Sequence, residues 1–329
     1  MQESVQTIIE TVRNYKGLLR KSPIKAIYEK LGITAQYGNP LPNYGEDAAI
    51  IPWQDGYLLL AADGMMTQLL VNEPYAAGKA SVMVTVNDIY AMGGKPIGMV
   101  NVMASGDDEQ RAKIVDGIAK GCRKLKVPML GGHVHPDAAV DHPALSVAIL
   151  GYAQNLLRSH LARSGDDLVL AVDLTGKAGC HTVQSWDANS GKTAEELLFR
   201  LAALPMIADR KFCQAAKDVS NAGILGTTSI LLENSAKGGL IDLASIPRPD
   251  GVALKDWLLS FQSFGFILSV NPQYTPAVID VFAERDVTAA VIGKVVEEPV
   301  VRVKTDTESG VLFDFNREMI TGIVCPCTD

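Results

Sequence analysis

The stretch from Ala62 to Pro96, ADGMMTQLLVNEPYAAGKASVMVTVNDIYAMGGKP, places two acidic residues in apolar surroundings. Asp63 ends one apolar run, and Asp88 interrupts the next run shortly before Gly93 and Gly94. A carboxylate in such surroundings is costly unless a cation or hydrogen bonds compensate its charge. The pattern therefore suggests the hypothesis that Asp63 and Asp88 bind a cation.

The secondary structure of this stretch is ambiguous from the residues alone. The run VMVTV at 82–86 is rich in β-branched side chains, which favour a strand. Ala77, Ala80, Val84 and Asp88 instead recur at the spacing of one helix face. Local propensity does not choose between the two.

Composition narrows the class of protein. The chain has 329 residues, 47% of them hydrophobic, so it can bury a large core and is long enough for two domains. Its net charge is -7 and its basic residues are scattered, which argues against a nucleic-acid partner. We find neither a signal-peptide pattern nor an apolar run of membrane-spanning length, and we expect a cytoplasmic protein without a membrane partner. Five scattered cysteines fit reduced thiols better than a disulfide framework.

Alternating strand and helix patterns divide the chain into three predicted parts. We expect an N-terminal helical segment at 1–35, an α+β domain at 36–153 and a second α+β domain at 154–329.

Two boundaries in the third part, at 154–329, are predicted from glycine and proline. Residues 193–220 are expected to form helical segments broken around Pro205. The segment that begins at Asn221 is expected to form a turn that leads into a helix, and this helix is expected to stop at Gly238 and Gly239.

A set of motifs, in a fixed order, carries a resemblance to a known family. The motifs are GEDAAII at 45–51, AADGM at 61–65, AAGKASVMVTVNDIYAMGGKP at 76–96, GGHV at 131–134, ARSGDDLVLAVDLTG at 162–176, KDVSNAGILGTTSILLE at 217–233 and VIGKVVEE at 291–298. The chain resembles the aminoimidazole ribonucleotide (AIR) synthase-related superfamily, which includes AIR synthase, thiamine monophosphate kinase, selenophosphate synthetase and the hydrogenase-maturation dehydratase. VNDIYAMGGKP is similar to a thiamine monophosphate kinase segment, and KDVSNAGILGT is similar to uncharacterised AIR synthase-like proteins such as methanogenesis marker 2.

The resemblance implies a two-domain α+β fold. The domain at 36–153 would bind ATP, and its mixed sheet would pair with that of a second subunit to close a dimeric β-barrel. The domain at 154–329 would be an α/β sandwich packed outside the barrel. The resemblance also places Asp88 on a helix and ATP with Mg²⁺ in the cleft between the domains. We therefore expect a homodimeric enzyme that transfers a phosphoryl group from ATP to a small molecule, or activates that molecule with ATP.

By the same resemblance, three carboxylates match the metal-binding positions of the family, namely Asp47, Asp63 and Asp88, with Glu46 a weaker neighbour. Mg²⁺ prefers such oxygen ligands. The positions implied to contact the nucleotide are Gly45, Gly64, Asn87, Gly93 and Gly94. Taken singly, these residues have ordinary structural explanations, because Asp-Gly is a common turn and Gly-Gly a common helix end. Lys79 could supply a counter-charge, but we interpret it as a solvated helix lysine.

The motifs also depart from the kinase pattern. His133 in GGHV stands where the kinases have an aspartate, and Asn221 stands where they have a second carboxylate after Asp218. Asparagine supplies neither charge nor a general base. SFGFILS at 263–269 replaces the kinase-like GEDYELL motif, which argues against thiamine phosphorylation. We assign Asp218, Asn221 and His133 to the catalytic side of the site and leave the substrate open.

Other functions stay open at this point. Asn221 is also compatible with a catalytically degenerate protein that binds nucleotide and acts as a partner or regulatory subunit. The run GGHVHPDAAVDH could hold a transition metal through His133 and His135 on one strand face, with Asp137, Asp141 and His142 nearby.

The cysteines point to no further chemistry. QYGNPLPNYGED at 36–47 lacks the reactive cysteine that selenophosphate synthetase uses, which argues against that activity. Cys325 and Cys327 lie close to the end of the sequence and are assigned no role.

Overall fold

Helices and strands alternate along the computed structural model, which describes residues 3–31 and 45–325. The first half contains α1 (Val5–Arg13), α2 (Lys16–Leu19), α3 (Ile24–Leu31), β1 (Ala49–Trp53), β2 (Gly56–Gly64), α4 (Thr67–Asn72), α5 (Pro74–Ala91), β3 (Lys95–Ala104), α6 (Asp108–Leu125), β4 (Met129–His135) and β5 (Ala144–Ala153). The second half contains β6 (Asp167–Val172), β7 (Lys177–Ala178), β8 (Ser185–Asp187), α7 (Ala194–Leu201), α8 (Ala203–Asp209), β9 (Ala215–Asp218), α9 (Gly223–Asn234), β10 (Gly238–Asp242), α10 (Leu254–Leu259), β11 (Phe261–Gln262), β12 (Gly265–Val270), α11 (Thr275–Ala283), β13 (Thr288–Val296), β14 (Val300–Lys304) and β15 (Ser309–Asp314). Among these helices, none has both the length and the apolar character needed to cross a membrane.

Strands β1 to β5 form one mixed sheet in the order β1-β2-β5-β3-β4. Its neighbouring strands are antiparallel, except that β3 and β4 are parallel and are joined by α6. Helix α5 packs on this sheet, and α6 packs along α5. The two helices approach closely at Gly78 and Gly117, where an added Cβ would lie 2.1 Å from a backbone oxygen of the other helix. We call this unit, with its two helices, the first domain.

The ambiguous stretch of the sequence is helical. Helix α5 carries Asp88 in its last turn and buries residues on most of its sides. A helix that is apolar all round belongs in a core, here between the sheet and α6. Burial on both sides thus outweighs the strand preference of the β-branched run, and the expected helix is confirmed.

The second half is built on a seven-stranded sheet in the order β15-β14-β10-β13-β6-β12-β9. Strands β6 and β12 are buried along their whole length, which places the core of this unit around them. A small sheet, β11-β8-β7, lies beside it. Strand β9 is at the edge of the large sheet and contacts α5 of the first domain. The chain therefore has the expected two-domain α+β architecture, and we call this unit the second domain.

One prediction for residues 193–220 is wrong, and the expected break around Pro205 is found three residues before it. Residues 215–218 form strand β9 rather than a helix, because pairing with β12 overrides the helical preference of alanine and lysine. The break between helices lies at Ala202, and Pro205 sits inside the first turn of α8. A proline in a first turn lacks a donor that the helix does not need, so the chain breaks upstream of it.

The predicted end of the next helix is also wrong. Helix α9 ends at Asn234, and Gly238 and Gly239 begin β10 instead. A Cβ on Gly238 would lie 2.1 Å from the carbonyl oxygen of Glu298, so this glycine permits close packing of two backbones.

The N-terminal helix α1 packs on the second domain. Val5 and Ile8 are buried in its apolar face, and α1 contacts β14, β15 and α10. Arg13 forms an ion pair of 2.6 Å with Glu318. The described part of the predicted N-terminal segment is thus attached to the far end of the chain, while the proposed boundaries at 35 and 153 stay predictions.

The second face of the five-stranded sheet is uncovered by the described residues. It exposes a row of large apolar side chains, which includes Ile51, Trp53, Leu60, Val100 and Val102. The sheet is open and does not close into a barrel within the described part of one chain. The dimeric barrel therefore stays a prediction.

Candidate functional site

A cavity of about 550 Å³ lies between the two domains. The first domain contributes Asp47, Asp63 and Asp88 to its wall, and the second contributes Asp218 and Asn221. Segments at both ends of the described chain complete the wall, with Lys21, Ile24, Thr321 and Ile323. The sequence singled out all five of these acidic and amide residues, and Gly45, Glu46, Gly64 and Lys79 line the same cavity.

Three of these carboxylates meet at one point. Asp47 lies two residues before the start of β1, Asp88 lies in the last turn of α5, and Asp218 ends β9. One oxygen from each lies within 4.8 Å of the others. We call these three residues the carboxylate cluster. Asp63, near the end of β2, lines the same cavity beside it.

Burial and mutual repulsion dominate the electrostatics of the cluster. Burial, reinforced by the charge of Asp47, raises the pKa of Asp218 to about 8. The pKa of Asp88 is raised well above its ordinary value by burial and then by Asp218 and Asp63. Burial also raises the pKa of Asp63, which the positive charge of Lys21 partly opposes. The cluster therefore holds charge at a cost that a bound cation would relieve.

Lys217 is a member of the site that the sequence interpretation missed. Its ammonium group forms an ion pair with Asp47 and lies 3.2 Å from the carbonyl oxygen of Gly45. Burial alone would lower the pKa of Lys217, but the charge and hydrogen bond of Asp47, together with the charges of Asp218 and Glu46, outweigh burial and raise that pKa. The sequence interpretation missed Lys217 because successive side chains of a strand alternate between its faces, which would place Lys217 and Asp218 on opposite faces. Its position directly before Asp218 in the KDVSNAG motif was the one available signal.

The contacts of Glu46 indicate a structural role. Its fully buried carboxylate accepts hydrogen bonds from the backbone N–H of Ser159 at 2.7 Å and from the guanidinium of Arg158 at 3.0 Å, and Nδ1 of His160 lies at 2.7 Å. Burial opposes ionisation, yet the hydrogen bond with His160 and the charge of Arg158 lower the pKa of Glu46. Glu46 therefore fastens the loop before β1 to the segment between the domains.

The five positions predicted to contact nucleotide fall into two groups. Gly45, which has a positive φ of 83°, and Gly64 both line the cavity. Asn87 is buried and donates a hydrogen bond of 3.2 Å to the carbonyl of Ser263. Gly93 and Gly94 pack against the core, where an added Cβ would lie 2.7 Å from Ala208 and 2.5 Å from Leu59, respectively. Asn87, Gly93 and Gly94 thus pack the domain together instead of lining the cavity.

His133 lies away from the cavity. It pairs with Val102 across β3 and β4, which puts its side chain on the open face of the sheet, opposite α5. The rings of His133 and His135 share that face, with centroids 4.5 Å apart. His142 pairs with Asp141 at 2.9 Å on an exposed loop.

Of the two terminal cysteines, Cys325 is buried and its backbone N–H donates to the carbonyl of Asn234. Cys327 lies outside the described residues. The structure thus brings Cys325 into the packing of the second domain beside α9.

The donor set of the cluster fits Mg²⁺. This ion takes oxygen ligands at about 2.1 Å, so opposite ligands are about 4.2 Å apart, and it keeps water or phosphate oxygens in its remaining positions. The 4.8 Å limit on the oxygens of Asp47, Asp88 and Asp218 is slightly wider than this span. A small side-chain adjustment would bring at least two of these oxygens onto one ion.

Two family models match the chain. The model described as AIR synthase related protein, N-terminal domain, covers residues 45–153, and the model described as AIR synthase related protein, C-terminal domain, covers residues 167–306. The chain belongs to the AIR synthase-related family. The resemblance inferred from the motifs is therefore confirmed. Lys21, Thr321 and Ile323, which line the cavity, lie outside both matches.

Two relatives of this family member match over most of their length. An uncharacterised protein of Synechocystis sp. is 40% identical over 278 residues, covering 84% of this chain and 86% of the relative. An uncharacterised protein of Methanocaldococcus jannaschii is 35% identical over 324 residues, covering 97% and 99%. Phosphoribosylformylglycinamidine synthase subunit PurL of Pyrococcus furiosus is 25% identical over 279 residues, covering 78% of this chain and 40% of that subunit.

Solved structures show the same fold in other AIR synthase-related proteins. Thermotoga maritima PurL complexed with ATP matches 84% of this chain and 46% of its own, with 20% identity and a TM-score of 0.69. AaThiL complexed with AMPPCP and TMP matches 88% of this chain and 96% of its own, with 18% identity and a TM-score of 0.66. The chain thus spans about half the length of this PurL structure and nearly all of AaThiL.

Proposed function

We propose that this AIR synthase-related protein binds ATP with Mg²⁺ between its domains and transfers a phosphoryl group to a small molecule, or activates that molecule with ATP. The observation that carries the proposal is the convergence of Asp47, Asp88 and Asp218 at one point of the interdomain cavity. Three solved structures with the same fold were determined with ATP or the analogue AMPPCP.

Each part of the cavity has a role in this proposal. Asp47, Asp88 and Asp218 would hold Mg²⁺, with Asp63 close enough to take part. When bound, Mg²⁺ supplies positive charge that offsets the phosphates and the charge that develops in phosphoryl transfer. Gly45 and Gly64 would let the nucleotide approach the backbone.

The acceptor side of the site is shaped by the second domain. Asn221 lines the cavity three residues after Asp218 and can hydrogen-bond a substrate or phosphate oxygen. The acceptor would attack the γ-phosphate through an oxygen, of the kind found in a carboxylate or an amide. Its chemical identity stays open.

A catalytically degenerate nucleotide-binding partner is the second candidate function. Asn221 favours it, because its amide cannot act as a general base. The ion pair between Lys217 and Asp47 also favours it, since this pair competes with a metal ion for one carboxylate.

The remaining predictions concern the setting of the protein. We propose a homodimer that forms through the open face of the five-stranded sheet, with a small-molecule substrate and without a nucleic-acid or membrane partner. A cytoplasmic location and a substrate- or phosphate-contacting role for His133 stay predictions as well.

Calorimetric titration with AMPPCP, with and without Mg²⁺, tests the nucleotide site. We expect binding that requires Mg²⁺ and that weakens by more than about tenfold, or about 1.4 kcal/mol, in Asp63→Ala and Asp88→Ala. Asp141→Ala is the matched control, because Asp141 is 79% exposed on a loop away from the cavity. Wild-type protein that fails to bind AMPPCP would contradict the proposal. ATP binding without ADP release from any acceptor would favour the degenerate partner.

A further inference from the structure

Lys217 occupies an unusual position for a lysine. Its side chain is 11% exposed, and its ammonium group forms an ion pair with Asp47, one member of the carboxylate cluster. Asp47 and the carbonyl oxygen of Gly45 both accept its N–H groups. A lysine in such a place is retained only where surrounding negative charge outweighs the cost of burial.

The contacts of Asp47 show what the ammonium group replaces. One carboxylate oxygen of Asp47 pairs with Lys217, and the other accepts the backbone N–H of Asp218 at 3.2 Å. Two neighbouring residues of strand β9 therefore bind both carboxylate oxygens of Asp47. A metal ion that bound the oxygen of Asp47 paired with Lys217 would compete with the ammonium group for it.

The charge of the site points in the same direction. The carboxylates of Asp47, Asp63, Asp88 and Asp218 carry four negative charges when all are ionised, in a cavity partly shielded from water. Among the described residues, Lys217 is the basic residue that forms an ion pair with the carboxylate cluster. Lys21 lines the cavity and acts on Asp63 and Asp218 through its charge. One cation of the site is thus supplied by the chain itself.

We propose that Lys217 is a resident cation that fills one cation position of the carboxylate cluster, so that the cluster binds one divalent metal ion fewer than its carboxylates would hold without the lysine. The inference rests on the proposed function in one respect, namely that the cluster is a metal site. It adds that part of the charge compensation is permanent and independent of metal concentration.

The number of bound Mn²⁺ ions tests this role directly. We would titrate the full chain with Mn²⁺ alone and count bound ions by electron paramagnetic resonance. Lys217→Ala removes the ammonium group and leaves space for a hydrated cation, and we expect it to bind one more equivalent of Mn²⁺ than wild type. Lys217→Arg keeps the charge and should keep the wild-type count.

Lys192→Ala is the matched control. Lys192 forms a 3.1 Å ion pair with the buried Asp173, and its side chain is also 11% exposed, but it lies outside the carboxylate cluster. Its loss removes a buried ion pair of the same kind, so any general effect of that loss on metal binding appears in this variant. We expect the wild-type count of Mn²⁺.

Thermal unfolding supplies the second readout. Without metal, Lys217→Ala should unfold at a lower temperature than wild type, and Mn²⁺ should raise its midpoint by more than it raises that of wild type or Lys192→Ala. If the variant does not fold without metal, refolding with Mn²⁺ but not with Na⁺ of equal ionic strength supports the proposal.

Two results would overturn it: a Lys217→Ala count equal to that of wild type, or an unfolded variant that Mn²⁺ does not restore. Failure of the proposed function looks different, because wild type would then bind Mn²⁺ but not AMPPCP. The difference between wild type and Lys217→Ala still decides the role of Lys217 in that case.

Discussion

At the scale of single residues, Asp218 shows how a buried carboxyl group of the site lowers the stability of the protein as pH rises. Burial and the charge of Asp47 raise its pKa to about 8, whereas an aspartate in the unfolded chain titrates near about 3.9. Between these values the native state keeps a proton that the unfolded state has lost. The free energy of unfolding therefore falls as pH rises from about 4 to about 8, by up to about 1.4 kcal/mol per pH unit for each retained proton.

Asp218→Asn replaces this titrating carboxyl group with a neutral amide, so it should remove the contribution of Asp218 to the pH dependence of stability. In EDTA, we expect the variant to be more stable than wild type at pH 8, with the difference shrinking toward pH 4. Urea unfolding at several pH values measures this difference, and Mg²⁺ should reduce it by binding the wild-type cluster. Parallel pH profiles for the two proteins would show that Asp218 does not titrate as the structure indicates.

Glu46 is the opposite case, a buried carboxylate whose partners favour its charge. Replacing it with Gln removes the negative charge that pairs with Arg158, whose side chain is 11% exposed, and we expect Glu46→Gln to cost about 3 kcal/mol of stability in urea unfolding. Glu297→Gln is the control, since Glu297 pairs with Lys237 at 2.6 Å but is 74% exposed. This control should change stability by less than about 1 kcal/mol. Equal effects of the two substitutions would contradict a structural role for Glu46.

At the scale of elements, the sequence predicts the helices and strands whose hydrophobic pattern extends over a whole packing face. Helix α6 has such a pattern, since its amphipathic repeat is long, and Asp107 caps its start. Strand β9 was missed because it has four residues, and its helix-favouring side chains are held in a strand by β12 alone. Helix α5 was ambiguous because only the tertiary structure shows that both of its sides are covered. Non-local pairing and burial are the information that a local pattern lacks.

Helix α1 gives a prediction about an element that lies outside the family matches. Ile8 is 1% exposed in the interface between α1 and the second domain. We expect Ile8→Ala to destabilise the protein by about 2–4 kcal/mol, since the loss of a buried side chain leaves a cavity. Leu19→Ala, at a position that is 55% exposed, should change stability by less than about 0.5 kcal/mol. Urea unfolding of both variants measures the contrast, and an equally small effect at Ile8 would show that α1 is not an integral part of the domain.

At the scale of the whole molecule, the site depends on how the two domains meet. The order of the motifs was sufficient to assign Asp47, Asp88 and Asp218 to one site, because family resemblance carries the tertiary arrangement with it. It was not sufficient for Lys217, whose importance comes from its contact with Asp47 across 170 positions of sequence. It also did not show that Gly93 and Gly94 pack against the core. Residues that act through a partner distant in sequence become visible only in the folded chain.

The open face of the five-stranded sheet leads to the last prediction. A row of exposed apolar side chains, with Leu60 at 46% and Val102 at 49% exposure, is typical of a surface that another subunit covers. We expect wild type to have twice the 35.2 kDa chain mass in light scattering after gel filtration. Leu60→Asp should shift it to the single-chain mass, because a buried unpaired charge opposes association.

Val115→Asp controls for the added charge, since Val115 is 47% exposed on α6, a helix that does not belong to the open face. It should leave the dimer intact. Because His133 shares the open face with Val102, a dimer would place His133 against the partner subunit rather than toward the cavity of its own chain. A catalytic role for His133 therefore requires the dimer, and a wild-type mass of one chain would contradict both predictions together.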